Sequence, residues 1–207
     1  GGNGGILQVM NKLAPNNDAG IAFQTNYETH ALFGSFGSEY TTLKTSRDGV
    51  NFVEALSVDN ETGRVSHPQT PRFRACVNYR QEINEQNWQK IGFNDAEYND
   101  QLCFDPVNNV FVAPESGTYV LGIHAIYEKA NSNSARLRCR LTRNSSDVIQ
   151  GTTREVSSGH LTTKTGLDIS TLVSLSKGDT VEAQANYRNA IGYLMANETV
   201  FWGYKVA

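Results

Sequence analysis

The chain has 207 residues, a formal net charge of −3 and a pI near 5.8, so it carries no basic field able to hold phosphates along a groove and nucleic acid is set aside as a partner. Eighteen Gly, nine Tyr and nine Phe, with frequent Thr, Val, Asn and Ser, form the residue set of strands and tight turns, while long Ala/Leu/Glu/Lys runs at helical spacing are missing. No apolar run approaches the roughly 18–20 residues that cross a bilayer, so a soluble, all-β chain is expected, long enough for one ordinary domain and a smaller module.

Gly1 to Gly5 read as a flexible lead-in, and a start at Gly-Gly rather than Met points to a trimmed fragment or processed product. ILQVMNKL reads as a short strand-like run, closed by a turn at Pro15, Asn16, Asn17 and Gly20. IAFQTNY, ALFGSF, SEYTTLKTS, NFVEALSVD and RVSHP follow as short strands, with turns at Arg47-Asp48-Gly49 and at residues 60–63. A meander of about 65 residues with few large aliphatics struggles to build a core alone and is expected to need copies of itself.

This stretch, residues 6 to 68, resembles a module of bacteriophage and prophage tail-fibre proteins. The likeness lies in Asn11-Lys12, Ala22-Phe23-Gln24, Leu32-Phe33-Gly34 with Gly37, residues 44–49, Glu54-Ala55-Leu56, Val58-Asp59 and Thr62-Gly63-Arg64-Val65. The resemblance implies a trimeric stalk over residues 1–68.

Pro68 and Pro71 stiffen a linker at residues 69–71, and a second domain is read over residues 72–207. RFRACVNYR alternates Phe73, Ala75, Val77 and Tyr79 against Arg72, Arg74, Cys76 and Asn78, as the first strand of a sandwich would. QEINEQNW is a polar excursion before the strand WQKIGF. Turns are expected at Asp105-Pro106 and between Pro114 and Gly117, the latter with glycine at positive φ. Val110, Val112, Val120, Leu141, Leu172, Leu175 and Val181 are read as inward residues of two packed sheets. The last strand carries an aromatic on each face, Phe201 and Trp202, which suits burial between a core and a neighbouring subunit.

Phe93, Asn99, Phe104, Phe111, Gly117 and Tyr119 follow one another at intervals of six, five, seven, six and two residues. That spacing resembles the globular head of the complement C1q family, a relative of the tumour-necrosis-factor jelly roll. Leu121 and Ile123 depart from the aromatics expected next; residues 175–181 and the closing Phe201-Trp202-Gly203-Tyr204 add to the likeness. The resemblance implies an intertwined or side-by-side homotrimer, with Phe93 to Tyr119, Phe201 and Gly203 as core and trimer scaffold. It also implies that calcium can be held in acidic loops near the trimer axis, although the sequence names no ligand set; no other cofactor is expected.

Chemistry is sparse. Asp95, Glu97, Asp100 and Asp105 offer carboxylates for glycoside cleavage, but their spacing does not demand it, and solvated loop charges explain them. His30, His67, His124 and His160 are scattered and form no metal or catalytic motif. Cys76, Cys103 and Cys139 show no zinc spacing and read as free thiols, Cys139 on an apolar strand face beside Leu137 and Leu141. Asn60, Asn144 and Asn197 match the N-glycosylation pattern.

The chain is therefore read as binding and not as an enzyme. Polar loops at residues 131–135, 143–147, 156–164 and 186–193 supply recognition, with Asn131, Asn133 and Asn189 as hydrogen-bonding groups and Tyr187 and Tyr193 as rings for a sugar. The expectation is a phage tail-fibre tip, located on the virion, that attaches to a bacterial surface receptor such as a glycan. The alternatives are a secreted, extracellular lectin or ligand domain of the C1q type and a polysaccharide-degrading tail enzyme.

Overall fold

The computed structural model describes residues 4–84, 87–130, 135–157, 161, 163–188 and 191–206. These residues form nineteen strands and no helix, and so no helix that crosses a membrane. The chain divides into two compact units, Gly1–Gln69 and Thr70–Ala207.

The first unit is one antiparallel sheet in sequence order: β1 (Ala19–Thr25), β2 (Glu28–Ser35), β3 (Thr41–Ser46), β4 (Phe52–Val58) and β5 (Val65–Ser66). Its turns follow the sequence signals. Gly49 and Gly63 take positive φ, and Asp48 and Asp59 accept backbone N–H bonds from the residues that follow them. Residues 6–13, read as strand-like, pair with nothing and form no strand. A strand needs an edge to bond to, and apolar β-formers alone do not supply one.

The second unit is a two-sheet sandwich made of β6 (Arg72–Cys76), β7 (Gln81–Ile83), β8 (Gln89–Lys90), β9 (Asp95–Asp100), β10 (Phe104–Asp105), β11 (Val110–Val112), β12 (Gly117–Lys129), β13 (Arg136–Arg143), β14 (Asp147–Val148), β15 (Arg154–Val156), β16 (Thr165–Leu175), β17 (Thr180–Arg188), β18 (Gly192–Leu194) and β19 (Val200–Lys205). In one sheet β12 pairs with β16 on one side and with β19 and β18 end to end on the other, and β6, β7 and β9 continue outward. The second sheet runs β10-β11-β17-β13-β14, with β15 on β13 and β8 on β17.

Period-two alternation sends Tyr119, Leu121, Ile123, Ala125 and Tyr127 of β12 inward, where they meet Leu137, Cys139 and Leu141 of β13 and Val181, Ala183 and Ala185 of β17. One end of the core is aromatic. Phe73 stacks on Phe104 and Phe111 at 5.0 and 5.3 Å and meets Phe201 edge-on at 4.9 Å, while Phe111 meets Tyr119 at 5.2 Å. Each such burial contributes about 1.5–3 kcal/mol, with the ring geometry adding to it.

The spaced positions are therefore core. Phe93, Phe104, Phe111, Tyr119 and Phe201 are buried within one chain, and Gly203 is glycine because a Cβ there would run into Leu121 and the Val120 carbonyl. Asn99 fixes the neighbouring turn, donating to the Phe104 carbonyl at 2.7 Å and accepting the Phe104 N–H at 2.9 Å.

Three other expectations need correcting. Val120 and Leu172 do not point inward: they lie opposite each other on the outer face, and Leu172 is 67% exposed. Alternation dictates this once Tyr119 and Leu121 face the core. Gly117 opens β12 without a positive φ. Tyr79 leaves the inner row of β6 and is exposed, since the strand ends at Cys76.

Candidate functional site

Of the residues expected to bind ligand, Asn131, Asn133 and Asn189 lie outside the described residues. Tyr187 is not a surface ring. It is fully buried in β17, packed edge-on against Tyr127 at 5.8 Å, and its hydroxyl donates to the Glu128 carbonyl at 3.0 Å. Burial pushes its pKa up, and Gly192 is kept free of a side chain by this ring. Tyr193 is half-buried, and the Arg80 guanidinium sits 3.7 Å from its ring centroid while bonding Glu128. One face of that ring is thus already occupied by a cation. In the loop at 143–147, Asn144 and Ser145 take positive φ. Asn144 is spent on structure, bonding Asp179 at 2.9 Å and accepting the Thr180 N–H.

Glu97, Asp100 and Asp105 are engaged locally. Asp100 bonds Arg72 directly across the β6–β9 ladder. A bulge at the Arg74/Ala75 step places Glu97 against Arg74. Asp105 holds its own turn through Val107 and Asn108, and Asn108 lowers its pKa. Among the described residues no three acidic, histidine or cysteine side chains converge. Cys103 and Cys139 are buried free thiols, and burial pushes Cys103 up to about 12 and Cys139 higher; Cys76 is half-buried. All three stay protonated at neutral pH.

Two surfaces hold side chains that the core does not use. The first is the outer face of the β12 sheet, where cross-strand register builds continuous rows. Leu172, Val120, Tyr204, Arg72 and Asp100 form one; Ser170, Gly122, Trp202, Arg74 and Tyr98 form the next; Asp168, His124, Val200, Cys76 and Asp95 form the third. Trp202 lies flat across β12 because Gly122 carries no side chain: a Cβ there would meet the indole. His124 Nδ1 is 2.5 Å from Asp168, and Tyr204 and Tyr98 remain exposed. An aromatic and aliphatic centre bordered by ion pairs is the composition of an interface core with its rim.

The second surface is on the other sheet. Arg136, Arg138 and Arg140 alternate along one face of β13, opposite Leu137, Cys139 and Leu141. The half-buried Trp88, from the polar excursion, lies over two of them, with its ring 4.2 Å from Arg140 and 5.2 Å from Arg138. Arg138 Nε donates to Asn186 at 3.1 Å and Arg140 Nε to Gln184 at 2.8 Å. Desolvation, then the neighbouring Arg138, lowers the Arg140 pKa. Sequence reasoning missed this cluster. The arginine alternation in RLRCRLTR was the available signal, whereas nothing local announces that Trp88 folds across it.

Residues 73–206 match the C1q domain. Among solved structures, the globular domain of zebrafish complement 1qA protein aligns with a TM-score of 0.51 at 18% identity, over 67% of this chain and 98% of that one. The TNF Eiger of S. frugiperda aligns with a TM-score of 0.47 at 11% identity, over 67% of this chain and 92% of that one. No curated protein matches the chain. The two-sheet sandwich is a jelly roll of the C1q/TNF type, and the chain belongs to the C1q domain family.

Proposed function

We propose that this chain is a non-catalytic extracellular recognition protein whose C1q-type head assembles in threes and binds a surface glycan. The observation that carries the reading is the outer face of the β12 sheet. It holds Trp202, Tyr204, Val120 and Leu172 in adjacent rows, Tyr204 and Leu172 exposed and Trp202 and Val120 half-buried, on the opposite side of a sheet whose inner face is already full. Membership of the C1q domain family supports the same reading. Three heads on one body raise weak binding through effective concentration. The ledge of Trp88 over Arg138 and Arg140 supplies a ring for a sugar and cations for acidic substituents, a role first assigned to Tyr187 and Tyr193.

The N-terminal unit favours a second, narrower reading of the same binding activity. A sheet with no buried apolar side chain among its described residues suits a fibre shaft completed by its neighbours. On that reading the protein is the tip of a phage tail fibre and its receptor lies on a bacterial surface.

Light scattering on the purified chain tests the assembly. A trimer at micromolar concentration is expected, and Tyr204→Asp with Leu172→Asp should reduce it to monomer; a monomeric parent protein would sink the reading. On a glycan array the trimer should bind without releasing reducing ends, and Trp88→Ala should weaken binding at least tenfold. Adhesion to intact bacteria rather than to animal glycans would favour the fibre tip.

A further inference from the structure

The first unit has one face that no other described residue of the unit covers. Ile21, Phe33, Leu43 and Leu56 stand directly opposite one another across β1 to β4. Residues directly opposite in an antiparallel ladder share a face, so these four make an apolar row across the sheet. Phe23 and Val53 fall in the flanking row on that face, with Ala31 and Thr45 between them. The large members at its margins, Ile21, Phe23, Phe33 and Val53, are 42% to 55% exposed, and neither row contains a charge.

The other face is different. Gly20, Gly34, Thr42 and Ser57 leave room over it, Phe36 packs against Gly20, and Lys44 lies 5.8 Å over the Phe36 ring. Lys44 and Glu54 are cross-strand partners there. That second face mixes Ala22 and Leu32 with Lys44 and Glu54 and is partly covered by Phe36, whereas the first is uncharged.

We infer that the Ile21–Phe33–Leu43–Leu56 face is closed by the same face of other copies of this chain, so that the N-terminal unit acquires its core only in the assembly. Three arguments select that occupant. An uncharged face meets the same face of other copies around a three-fold axis without like-charge repulsion. The cover must be permanent, because a sheet with no buried apolar side chain lacks the burial that stabilises a unit of this size. And the face is small: four strands about 4.8 Å apart and some five residues of about 3.3 Å each give a footprint of only about 300 Å², below the ~800 Å² per partner of a stable free-standing interface. Such a face closes when its partner is already held at high local concentration, and the assembled heads at the other end of the chain supply that. The inference thus rests on the proposed trimer.

Adjacent residues on opposite faces make the test. In a Cys76→Ser background, where the remaining Cys103 and Cys139 are buried, Leu43→Cys and Lys44→Cys are introduced singly into the full chain. Each is treated with a short bis-maleimide, with light scattering and near-ultraviolet circular dichroism run on the same samples. Leu43→Cys is expected to give covalent dimers at least tenfold more than Lys44→Cys, and Phe33→Asp should abolish that cross-linking while the particle stays trimeric. A trimer that cross-links equally at both positions, or at neither, overturns the inference and leaves the head assembly standing. A monomer overturns both.

Discussion

The two units use one strand grammar with opposite outcomes. In the head, alternation on β12, β13 and β17 aims two apolar faces at each other, and the core closes within a single chain around Phe73, Phe111 and Phe201. In the N-terminal unit the same alternation assembles Ile21, Phe33, Leu43 and Leu56 into a row of equal quality, yet the only fully buried side chain among its described residues is Thr42. The difference lies in the second layer and not in strand formation. Burial of apolar area is the dominant favourable contribution to folding, so the head gains its core within one chain, whereas the first unit has no buried apolar side chain among its described residues.

Core truncation should separate the units most sharply. Phe201→Ala removes a ring packed against Phe73, Phe93 and Phe104 and is expected to destabilise the head by about 3–5 kcal/mol. Phe33→Ala should leave the head's unfolding transition where it is and lower only a transition that depends on protein concentration. Calorimetry at two concentrations decides the matter: if Phe33→Ala shifts the head's transition, or Phe201→Ala does not, the contrast between the units fails.

What the sequence disclosed follows the same division. The aromatic spacing from Phe93 to Tyr119 marked the head because those rings join one buried cluster through Phe73 and Phe201, and such packing ties residues to fixed places along the strands. Asp48 and Asp105 marked turns because an aspartate bonds the backbone two and three residues on. Depth was less legible. Tyr187 sits in a stretch rich in Asn and Arg, but Leu137 opposite it on β13 and Tyr127 from the facing sheet place it inside. Those contacts join strands 50 to 60 residues apart, beyond any local pattern. Leu172 was misplaced by treating hydrophobicity as a sign of depth, when its register opposite Val120 puts it outside. Trp88 escaped notice for the same non-local reason.

A smaller effect is expected where the head buries polarity, a device that the first unit has little room for. The Thr152 hydroxyl is fully buried; it donates to the Ile149 carbonyl at 2.7 Å and accepts the Leu141 N–H at 3.2 Å. Thr152→Val keeps the shape and strands that amide, at a cost of about 1–3 kcal/mol. Thr42, which donates to the Gly34 carbonyl at 3.2 Å, leaves only an acceptor with a second lone pair when replaced by Val. That carbonyl tolerates the loss better than a stranded amide does. Denaturant titration should show the Thr152 variant losing clearly more; equal losses would mean that the first unit is as closed as the head.

Acid should affect both units alike, and only weakly. Asp48 is held well below its ordinary value of 3.8 by the Asn51 amide and side chain, then by Val50 and Ser46; Asp179 in the head is lowered by the Asn144 side chain and then by the Ser176 amide. A carboxylate whose folded pKa is depressed stabilises fully above its unfolded value and loses that contribution as pH falls through the folded one. Both turns should therefore be insensitive to pH above about 4 and weaken below it, with the stability slope positive in pH. Asp48→Asn and Asp179→Asn each remove one titrating group, and each should flatten the stability profile below pH 4 by a similar small amount. Because both carboxylates are held by the bonds at their turns, the acid response depends on turn chemistry. A variant effect confined to the head would show instead that the turn at Asp48 does not form, and with it the register that aligns Leu43 with Leu56.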